Sequence, residues 1–400
     1  MDGALERRFL LVTGEASGDL HAARLIQALR AHGPCRVQGV AGPALRAAGV
    51  ECLVAAEELA VVGFSEVLAA LPRLLATRGR LLQAFRDFRP HAVVLVDYPG
   101  FNLRVGPGLK RLGARIFYYI APQVWAWGAG RAQKMKKLID KMAVVFDFEV
   151  PLFQRAGLST EFVGHPLLEG LEPALSSPEF FSKYHLDSKL PLLGLLPGSR
   201  VQEVERLLPD MLQTARLLKK QIPQLQAALA TAPTVARQVY QKIAKDENWL
   251  RMVERGTYEV MRDSRACIVA SGTATLETAC FATPMAVVYR VSPLSYAIGK
   301  RLVKLPYIGL VNIVAGQQIV PEFVQHNFKP EKVAAAIKPF FQDGEERRRV
   351  QAELQKVREK LGTPGASERT THLTLTLAGR MHEPAGDISN QLWRWRNNYR

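Results

Sequence analysis

The chain has 400 residues, of which 48% are hydrophobic and 22% are charged. That length suits two domains of about 150–200 residues each, and the composition is close to the globular average, which excludes a disordered or fibrous protein. The 53 basic and 37 acidic residues leave a formal net charge of +16, which favours a polyanionic partner: nucleic acid, anionic lipid or a phosphorylated substrate.

The four cysteines are sparse and show no C-x-x-C spacing, so neither a disulfide scaffold nor a zinc ribbon is expected. The apolar run at residues 9–12 reaches Gly14 too soon to be the core of a secretory signal. No stretch of about 18 uncharged apolar residues exists, so the sequence predicts no membrane-spanning helix. We therefore expect a soluble or peripheral protein in a reducing compartment.

Apolar runs alternate with helical patterns along the first part of the chain. The predicted strands are residues 9–12, 37–40, 92–96, 115–120 and 141–146. The predicted helices are residues 20–30, 71–88 and 131–138. Because most of these strands are continuous apolar runs rather than apolar at every second residue, they predict a parallel sheet covered on both faces.

The alternation pauses after Gly164-His165-Pro166 and then starts again. The second set of predicted elements consists of strands at 192–196, 225–230, 266–270 and 285–289, with helices at 204–220 and 273–281. A highly charged helix is predicted at 345–361. We expect an α/β protein with Rossmann-like domains at residues 1–168 and 169–345, followed by a C-terminal helix and basic tail at 346–400.

Two motifs of the first domain lie directly after predicted strands. Gly14-Glu15-Ala16-Ser17-Gly18-Asp19 joins a strand to a helix, where glycines and free amides favour an anionic ligand. The alternative is an ordinary turn in which Ser17 or Asp19 caps the helix. Asp97 follows the strand 92–96, and a carboxylate at that edge of a parallel sheet is a candidate general base. A turn-forming aspartate before Pro99-Gly100 is the alternative.

Two motifs of the second domain are suited to phosphate. Gly198-Ser199-Arg200 offers backbone amides and a cationic fork, although a surface turn with a solvated arginine has the same sequence. The segment 271–277, SGTATLE, places small hydroxyl residues at a predicted helix start. A capping box built on Thr273 or Thr275 competes with that function. No group of acidic residues or histidines with ligand spacing predicts a metal.

Seven segments together resemble the lipid-A-disaccharide synthase family, namely GEASGD, DYPGFN, IAPQVWAWGAGR, FVGHPL, LLPGSR, SGTATLE and LVNIVAG, in that chain order. The resemblance runs from about residue 9 to 340. It implies a GT-B fold, in which two Rossmann-like domains face a central cleft. It also implies that 2,3-diacylglucosamine passes from UDP to 2,3-diacylglucosamine 1-phosphate (lipid X) with inversion, giving the β-1,6-linked lipid A disaccharide 1-phosphate.

The resemblance also assigns roles to individual residues. Asp97 is the expected catalytic base, and Ser17, Gly14, Gly18 and Asn102 are expected on the acceptor side. The expected UDP-binding residues are Gly198, Ser199, Arg200, Ser271, Gly272, Thr273, Ala274, Thr275, Glu277 and Asn312. No metal and no cofactor is expected, so Arg200 and helix-terminal amides would stabilise the departing UDP.

Both implied substrates carry acyl chains, so the resemblance implies work at the cytoplasmic face of the inner membrane of a Gram-negative-type bacterium. The apolar residues 59–75, which include Val62, Phe64 and Leu68, are a candidate membrane-facing patch, and a buried helix is the alternative. Trp393 and Trp395 are candidate interfacial anchors in the tail. A homodimer is a candidate assembly.

Two other functions compete with the transferase. A nucleic-acid-binding module would suit the charge, but the basic residues are dispersed and no RNA-binding or zinc motif occurs, so no nucleic-acid partner is expected. A UDP-sugar epimerase of the same architecture would need no lipid acceptor. An assay for UDP release and a disaccharide product separates these functions.

Overall fold

The computed structural model describes residues 6–59, 64–127, 130–245, 247, 249–292, 296 and 305–379. The chain divides into two compact units. The first contains the chain up to Pro166 together with the segment that begins at Gly365, and the second runs from Leu167 to Pro364.

The first unit is a parallel sheet with strand order β3-β2-β1-β4-β5-β6-β7. Its strands are β1 (Arg7–Val12), β2 (Cys35–Ala41), β3 (Glu51–Ala55), β4 (Ala92–Val96), β5 (Ile116–Tyr119), β6 (Lys141–Val144) and β7 (Thr160–Phe162). Its helices in this part of the chain are α1 (Ala16–Ala31), α2 (Pro43–Ala47), α3 (Phe64–Phe88), α4 (Pro99–Arg111), α5 (Val124–Trp127), α6 (Gly130–Lys136) and α7 (Glu149–Arg155).

The second unit is a parallel sheet with strand order β10-β9-β8-β11-β12-β13. Its strands are β8 (Leu192–Leu196), β9 (Gln226–Thr231), β10 (Leu250–Glu254), β11 (Ala266–Ala270), β12 (Met285–Tyr289) and β13 (Glu322–Val324). Its helices are α8 (Ser177–Lys183), α9 (Val201–Gln221), α10 (Arg237–Ala244), α11 (Thr257–Asp263), α12 (Ala274–Cys280), α13 (Leu310–Ala315), α14 (Pro330–Ile337) and α15 (Glu345–Lys360). The predicted α/β class with parallel sheets is confirmed.

The central strands carry the core of each unit. All five residues of β4 are buried, and so are all five of β8 and of β11. Strand β4, AVVLV, contains no charged residue, and its limits are those that the sequence predicts. Buried strands of this kind place their carboxyl ends, and whatever follows them, at one edge of each sheet.

The C-terminal part of the chain belongs to both units. Helix α15 is held on the second unit, where Lys360 Nζ donates to the Val314 and Ala315 carbonyls. The next helix, α16 (Ala366–Gly379), packs on α1 of the first unit, and Arg115 donates to the Leu377 carbonyl there. Residues 346–379 are therefore divided between the units, in contrast to the expected separate C-terminal region. Trp393 and Trp395 lie outside the described residues.

The apolar segment at 59–75 is described in part. Leu59 is fully buried, Leu74 packs partly buried against the core of the first unit, and the Leu75 side chain is 55% exposed. Val62 and the side chains of Phe64 and Leu68 lie outside the described residues. Within the described part of the chain, no helix combines the length and apolar character that crossing a membrane requires.

Candidate active site

Each sheet has one place where the strand order reverses, and the predicted motifs follow the strands on either side of it. In the first unit the reversal lies between β1 and β4, which pair directly; Gly14 follows β1 and Asp97 follows β4. In the second unit it lies between β8 and β11, which precede Gly198 and Ser271. Ligands of open α/β sheets bind at such a switch point, so the topology brings each pair of motifs to a binding edge.

Asp97 sits on a strained backbone that its neighbours hold in place. Its φ is +45° and that of Tyr98 is +44°, the left-handed region that side chains other than glycine seldom adopt. The Asp97 carbonyl accepts hydrogen bonds from Asn102 Nδ2 at 2.7 Å and from the Tyr118 hydroxyl at 2.6 Å. Pro99 then begins α4, where its missing amide hydrogen is not needed. These contacts fix the direction in which Asp97 leaves the strand.

The Asp97 carboxyl group is partly buried and titrates close to neutral pH. Burial raises its pKa from 3.8 to about 7, the negative charge of Glu15 adds to the rise, and a hydrogen bond from the Tyr98 amide opposes it. A carboxylate with a pKa close to the working pH is half ionised there and still basic enough to accept a proton. Asp97 therefore has the properties of a general base.

Gly14 and Gly18 allow α1 to approach the end of β4 closely. A Cβ on Gly14 would lie 2.3 Å from the Tyr98 ring, and one on Gly18 would lie 2.7 Å from the Thr13 hydroxyl oxygen. The same point on Gly18 is 3.9 Å from Asp97 Cβ, so the first turn of α1 lies beside the candidate base. Ser17, in that turn, is exposed.

Neither Ser17 nor Asp19 caps α1. The helix begins after Glu15 without a capping hydrogen bond from a side chain. The Asp19 carboxylate is buried and accepts hydrogen bonds from the amides of Gly42 at 2.7 Å and Ala44 at 2.8 Å, at the start of α2. Asp19 thus supports the sheet edge, and the side chain of Ser17 remains turned to solvent.

In the second unit, Glu203 organises the loop after β8. Its carboxylate accepts the Ser199 amide at 3.0 Å and the Arg200 amide at 3.3 Å, and it pairs with the Arg200 guanidinium at 3.0 Å. Gly198 has φ +107°, and a Cβ there would lie 2.4 Å from the Glu203 carboxylate. The Arg200 side chain is 54% exposed, so a charged ligand can reach it from solvent.

The loop after β11 is open and built on small residues. Gly272 has φ +151° with nothing within 4 Å of an added Cβ. Thr273 precedes α12 without a capping side-chain hydrogen bond, and the Thr275 hydroxyl donates to the Gly272 carbonyl at 2.8 Å, so neither threonine forms the predicted capping box. Ala274 begins α12, and Glu277 accepts a hydrogen bond from the Tyr258 hydroxyl at 3.1 Å. Burial raises the pKa of Glu277.

Asn312 has a structural role that the sequence did not reveal. Its amide group donates to the Val320 carbonyl and to Glu322, and its oxygen accepts the amides of Ile319 and Val320. Glu322 in turn accepts the amides of Ile308 and Gly309, and Ser271 donates to the Ile308 carbonyl. Buried Asn312 therefore holds Glu322 in place, and Glu322 holds the backbone at Ile308 to which Ser271 is bonded. The four hydrogen-bonding positions of the Asn312 side chain are all used within the protein.

Three supporting residues were not among the sequence candidates: Tyr118, Glu203 and Glu322. Glu203 had a usable signal, since it stands three residues after Arg200 at the start of a helix, the spacing of a capping glutamate. Tyr118 and Glu322 act through contacts with residues 21 and 10 positions away, and no local pattern encodes such contacts.

The sequence comparisons agree with one another. The model of the family described as lipid-A-disaccharide synthetase matches residues 9–376. A lipid-A-disaccharide synthase of Geobacter metallireducens is 41% identical over 382 residues, covering 95% of this chain and all of the relative. One from Syntrophus aciditrophicus is 43% identical over 371 residues, covering 92% of this chain and 97% of the relative.

Solved structures with low identity share the fold. They include a UDP-N-acetylglucosamine 2-epimerase described as putative from Listeria monocytogenes (TM-score 0.63, 12% identity, 96% of this chain and 100% of that one). The calicheamicin glycosyltransferase has a TM-score of 0.61 at 15% identity, over 95% of this chain and 100% of that one. MurG of Acinetobacter baumannii has a TM-score of 0.58 at 13% identity, over 93% and 99%. At these identities the likeness concerns the fold alone, the two-domain α/β fold of GT-B glycosyltransferases.

Proposed function

This chain belongs to the lipid-A-disaccharide synthase family, and we infer from that membership that it transfers 2,3-diacylglucosamine from UDP to 2,3-diacylglucosamine 1-phosphate. The products are UDP and a β-1,6-linked disaccharide 1-phosphate. The observation that carries this proposal is the Asp97 carboxyl group, which lies at the first switch point with its pKa raised to about 7. A hydroxyl acceptor needs such a base, because an unactivated hydroxyl is a weak nucleophile.

In the proposed reaction the first unit holds the acceptor. Asp97 removes the proton of the acceptor 6-hydroxyl as its oxygen bonds to the anomeric carbon and the bond from that carbon to UDP breaks. One base on the face opposite UDP accounts for inversion without a second catalytic carboxylate. Ser17, Gly14, Gly18 and Asn102 form the acceptor side, with Asn102 and the two glycines positioning Asp97 and the first turn of α1.

The second unit holds the donor. Arg200 contacts the diphosphate, whose negative charge grows as UDP departs, and Gly198 and Ser199 shape the loop that presents it. The loop Ser271-Gly272-Thr273-Ala274 binds the nucleotide through the amides of its last three residues, because the Ser271 amide already donates to the Val288 carbonyl. Glu277 contacts the ribose hydroxyls. Thr275 and Asn312 act by holding these loops in place, since both are buried and their side chains are occupied by internal hydrogen bonds. No step of this reaction requires a metal ion or an organic cofactor.

The proposed work site is the cytoplasmic surface of the inner membrane. Three large apolar side chains are notably exposed among the described residues, and two belong to the first unit: Leu20, beside Ser17, and Leu75. Arg73 and Arg80 are also exposed on the helix that carries Leu75, and their charges would attract anionic headgroups to that helix. Leu75→Ser should reduce sedimentation with anionic vesicles relative to neutral ones, while unchanged sedimentation would assign the membrane contact to other residues.

The function is tested by combining the purified chain with both substrates and following UDP release together with disaccharide formation. Omission of the acceptor is the decisive control. A transferase releases little UDP without it, whereas an epimerase converts the UDP-sugar with no acceptor present. Conversion of UDP-diacylglucosamine alone, with no disaccharide in the complete mixture, would overturn the proposed reaction.

A further inference from the structure

A group of three side chains with metal-binding donors lies outside the candidate active site. In the part of the chain that the structure describes, His32, Glu368 and His372 are the group of three His, Cys, Asp or Glu residues whose donor atoms could meet one ion, all lying within 4.8 Å of one another. His32 follows the end of α1, whereas Glu368 and His372 stand one turn apart on α16. His32 and Glu368 are 336 positions apart, so no sequence motif reveals this group.

The three donors already converge. The Nε2 atoms of His32 and His372 lie 2.5 Å and 3.3 Å from the same Glu368 oxygen, and the two imidazole rings are 5.1 Å apart between centroids. Tetrahedral Zn²⁺ with bonds of 2.0–2.2 Å holds its donors about 3.4 Å apart. The His372–Glu368 pair matches that spacing, and the His32–Glu368 pair has to open by about 0.9 Å, which exposed side chains permit.

We propose that His32, Glu368 and His372 bind a single Zn²⁺ ion that ties α16 to α1. Two imidazoles and one carboxylate are a donor set that zinc prefers, and water from the exposed side completes the coordination. Helix α16 packs on α1 and is held on the first unit independently of the metal, because Arg369 donates to the Val163 carbonyl and Arg115 to the Leu377 carbonyl. The donors are therefore in place before the ion arrives, which lowers the entropic cost of binding.

The proposed Zn²⁺ site links two helices and takes no part in the transfer reaction. Helix α1 has 16 residues, so its ends are about 24 Å apart; Ser17 lies at one end and His32 follows the other. Helix α16 belongs to the segment that returns to the first unit after the second unit is complete. Zinc at this position would stabilise the docking of that returning segment.

The test uses the full-length, untagged chain after treatment with a chelator. Calorimetric titration with Zn²⁺ should give one saturable site, and Mg²⁺ should give none. Both His32→Gln and His372→Gln should weaken Zn²⁺ binding by more than about 10–100-fold. That smaller loss is typical when a residue is removed that only hydrogen-bonds to a metal ligand. His326→Gln, at an exposed histidine of the second unit, is the matched control and should bind as the unaltered chain does.

A second readout separates a metal clip from a plain hydrogen-bonded triad. Zn²⁺ should raise the thermal midpoint and slow hydrogen exchange across Ala366–Gly379 in the unaltered chain, and do neither in His32→Gln. Folding of each variant is checked by its midpoint without metal. Zn²⁺ binding that persists in both histidine variants, or no saturable binding to the unaltered chain, would overturn the proposal.

Discussion

The two switch points share one topology and differ in electrostatics. The edge of the first sheet carries Asp97, a carboxyl group on a left-handed backbone whose pKa is raised by burial and, to a smaller extent, by the charge of Glu15. The edge of the second sheet carries Arg200, an exposed guanidinium paired with Glu203. Burial makes the first edge suited to proton transfer, while an exposed cation with open small-residue loops makes the second suited to a mobile anion.

The two edges also differ in how they affect the stability of the folded protein. Strain and desolvation at Asp97 are tolerated because Asn102 and Tyr118 hold its carbonyl. At the second edge the hydrogen bonds of Glu203 satisfy the Ser199 and Arg200 amides. The following variants test this contrast between Asp97, which destabilises the folded protein, and the Arg200 loop, which does not. They are given from the largest expected effect to the smallest.

Asp97→Asn should lower the transfer rate by roughly 10²–10⁴, because the amide keeps the shape and cannot accept the proton.

The same variant should be more stable at pH 8. The folded-state pKa of about 7 exceeds the ordinary 3.8, so the native state loses stability as the pH rises between those values, and asparagine removes that loss. Each kcal/mol gained would raise the midpoint by about 2–4 °C.

The control for this variant is Asp147→Asn, which changes an exposed carboxylate of the same unit. It should alter neither rate nor stability appreciably. Turnover of Asp97→Asn at the unaltered rate, with substrates bound, would remove Asp97 from the chemistry and with it the contrast between the two edges.

Arg200→Ala should weaken UDP binding roughly tenfold to a hundredfold, because a charge-assisted hydrogen bond contributes about 1.5–3 kcal/mol. Titration calorimetry with UDP measures the effect directly. Arg237→Ala is the matched control, since Arg237 is 59% exposed and pairs with Glu254 in the same unit. Equal UDP affinity of the two variants would place the diphosphate away from the β8 loop.

Gly198→Ala should lower the free energy of unfolding of the second unit by about 1–3 kcal/mol, through left-handed strain and a clash with Glu203. Gly272→Ala has open space around its Cβ and should cost less, through backbone strain alone. Denaturant unfolding compares the two variants. A larger loss of unfolding free energy in Gly272→Ala would contradict the proposed role of Glu203 in holding the loop after β8.

Glu15→Gln should cause the smallest change, a shift in the pH dependence of the rate. In the unaltered chain the rate should rise with pH through about 7, as Asp97 loses its proton. Removing the Glu15 charge should move that rise to lower pH, since the charge of Glu15 adds to the effect of burial on the Asp97 pKa. An unchanged pH profile would show that burial alone raises the pKa of Asp97.

The strands that could be predicted are the central ones, and the reason is burial. Runs such as β8, LLGLL, are apolar along their whole length because helices cover both faces. The four strands without a predicted counterpart, β3, β7, β10 and β13, are the edges of the two sheets. Each contains partly exposed residues and at least one charged residue, as in TEF for β7, so the apolar run is too short to predict a strand without its neighbour.

The class of fold, the family and the position of the motifs could be read from the amino-acid sequence, because these depend on local periodicity and on short segments such as SGTATLE. The sequence could not determine what each side chain would contact. The raised pKa of Asp97, the occupied hydrogen bonds of Asn312 and the meeting of His32 with Glu368 all arise from residues brought together by the folded chain. Burial and contact are properties of three-dimensional packing, so the tertiary structure decided them.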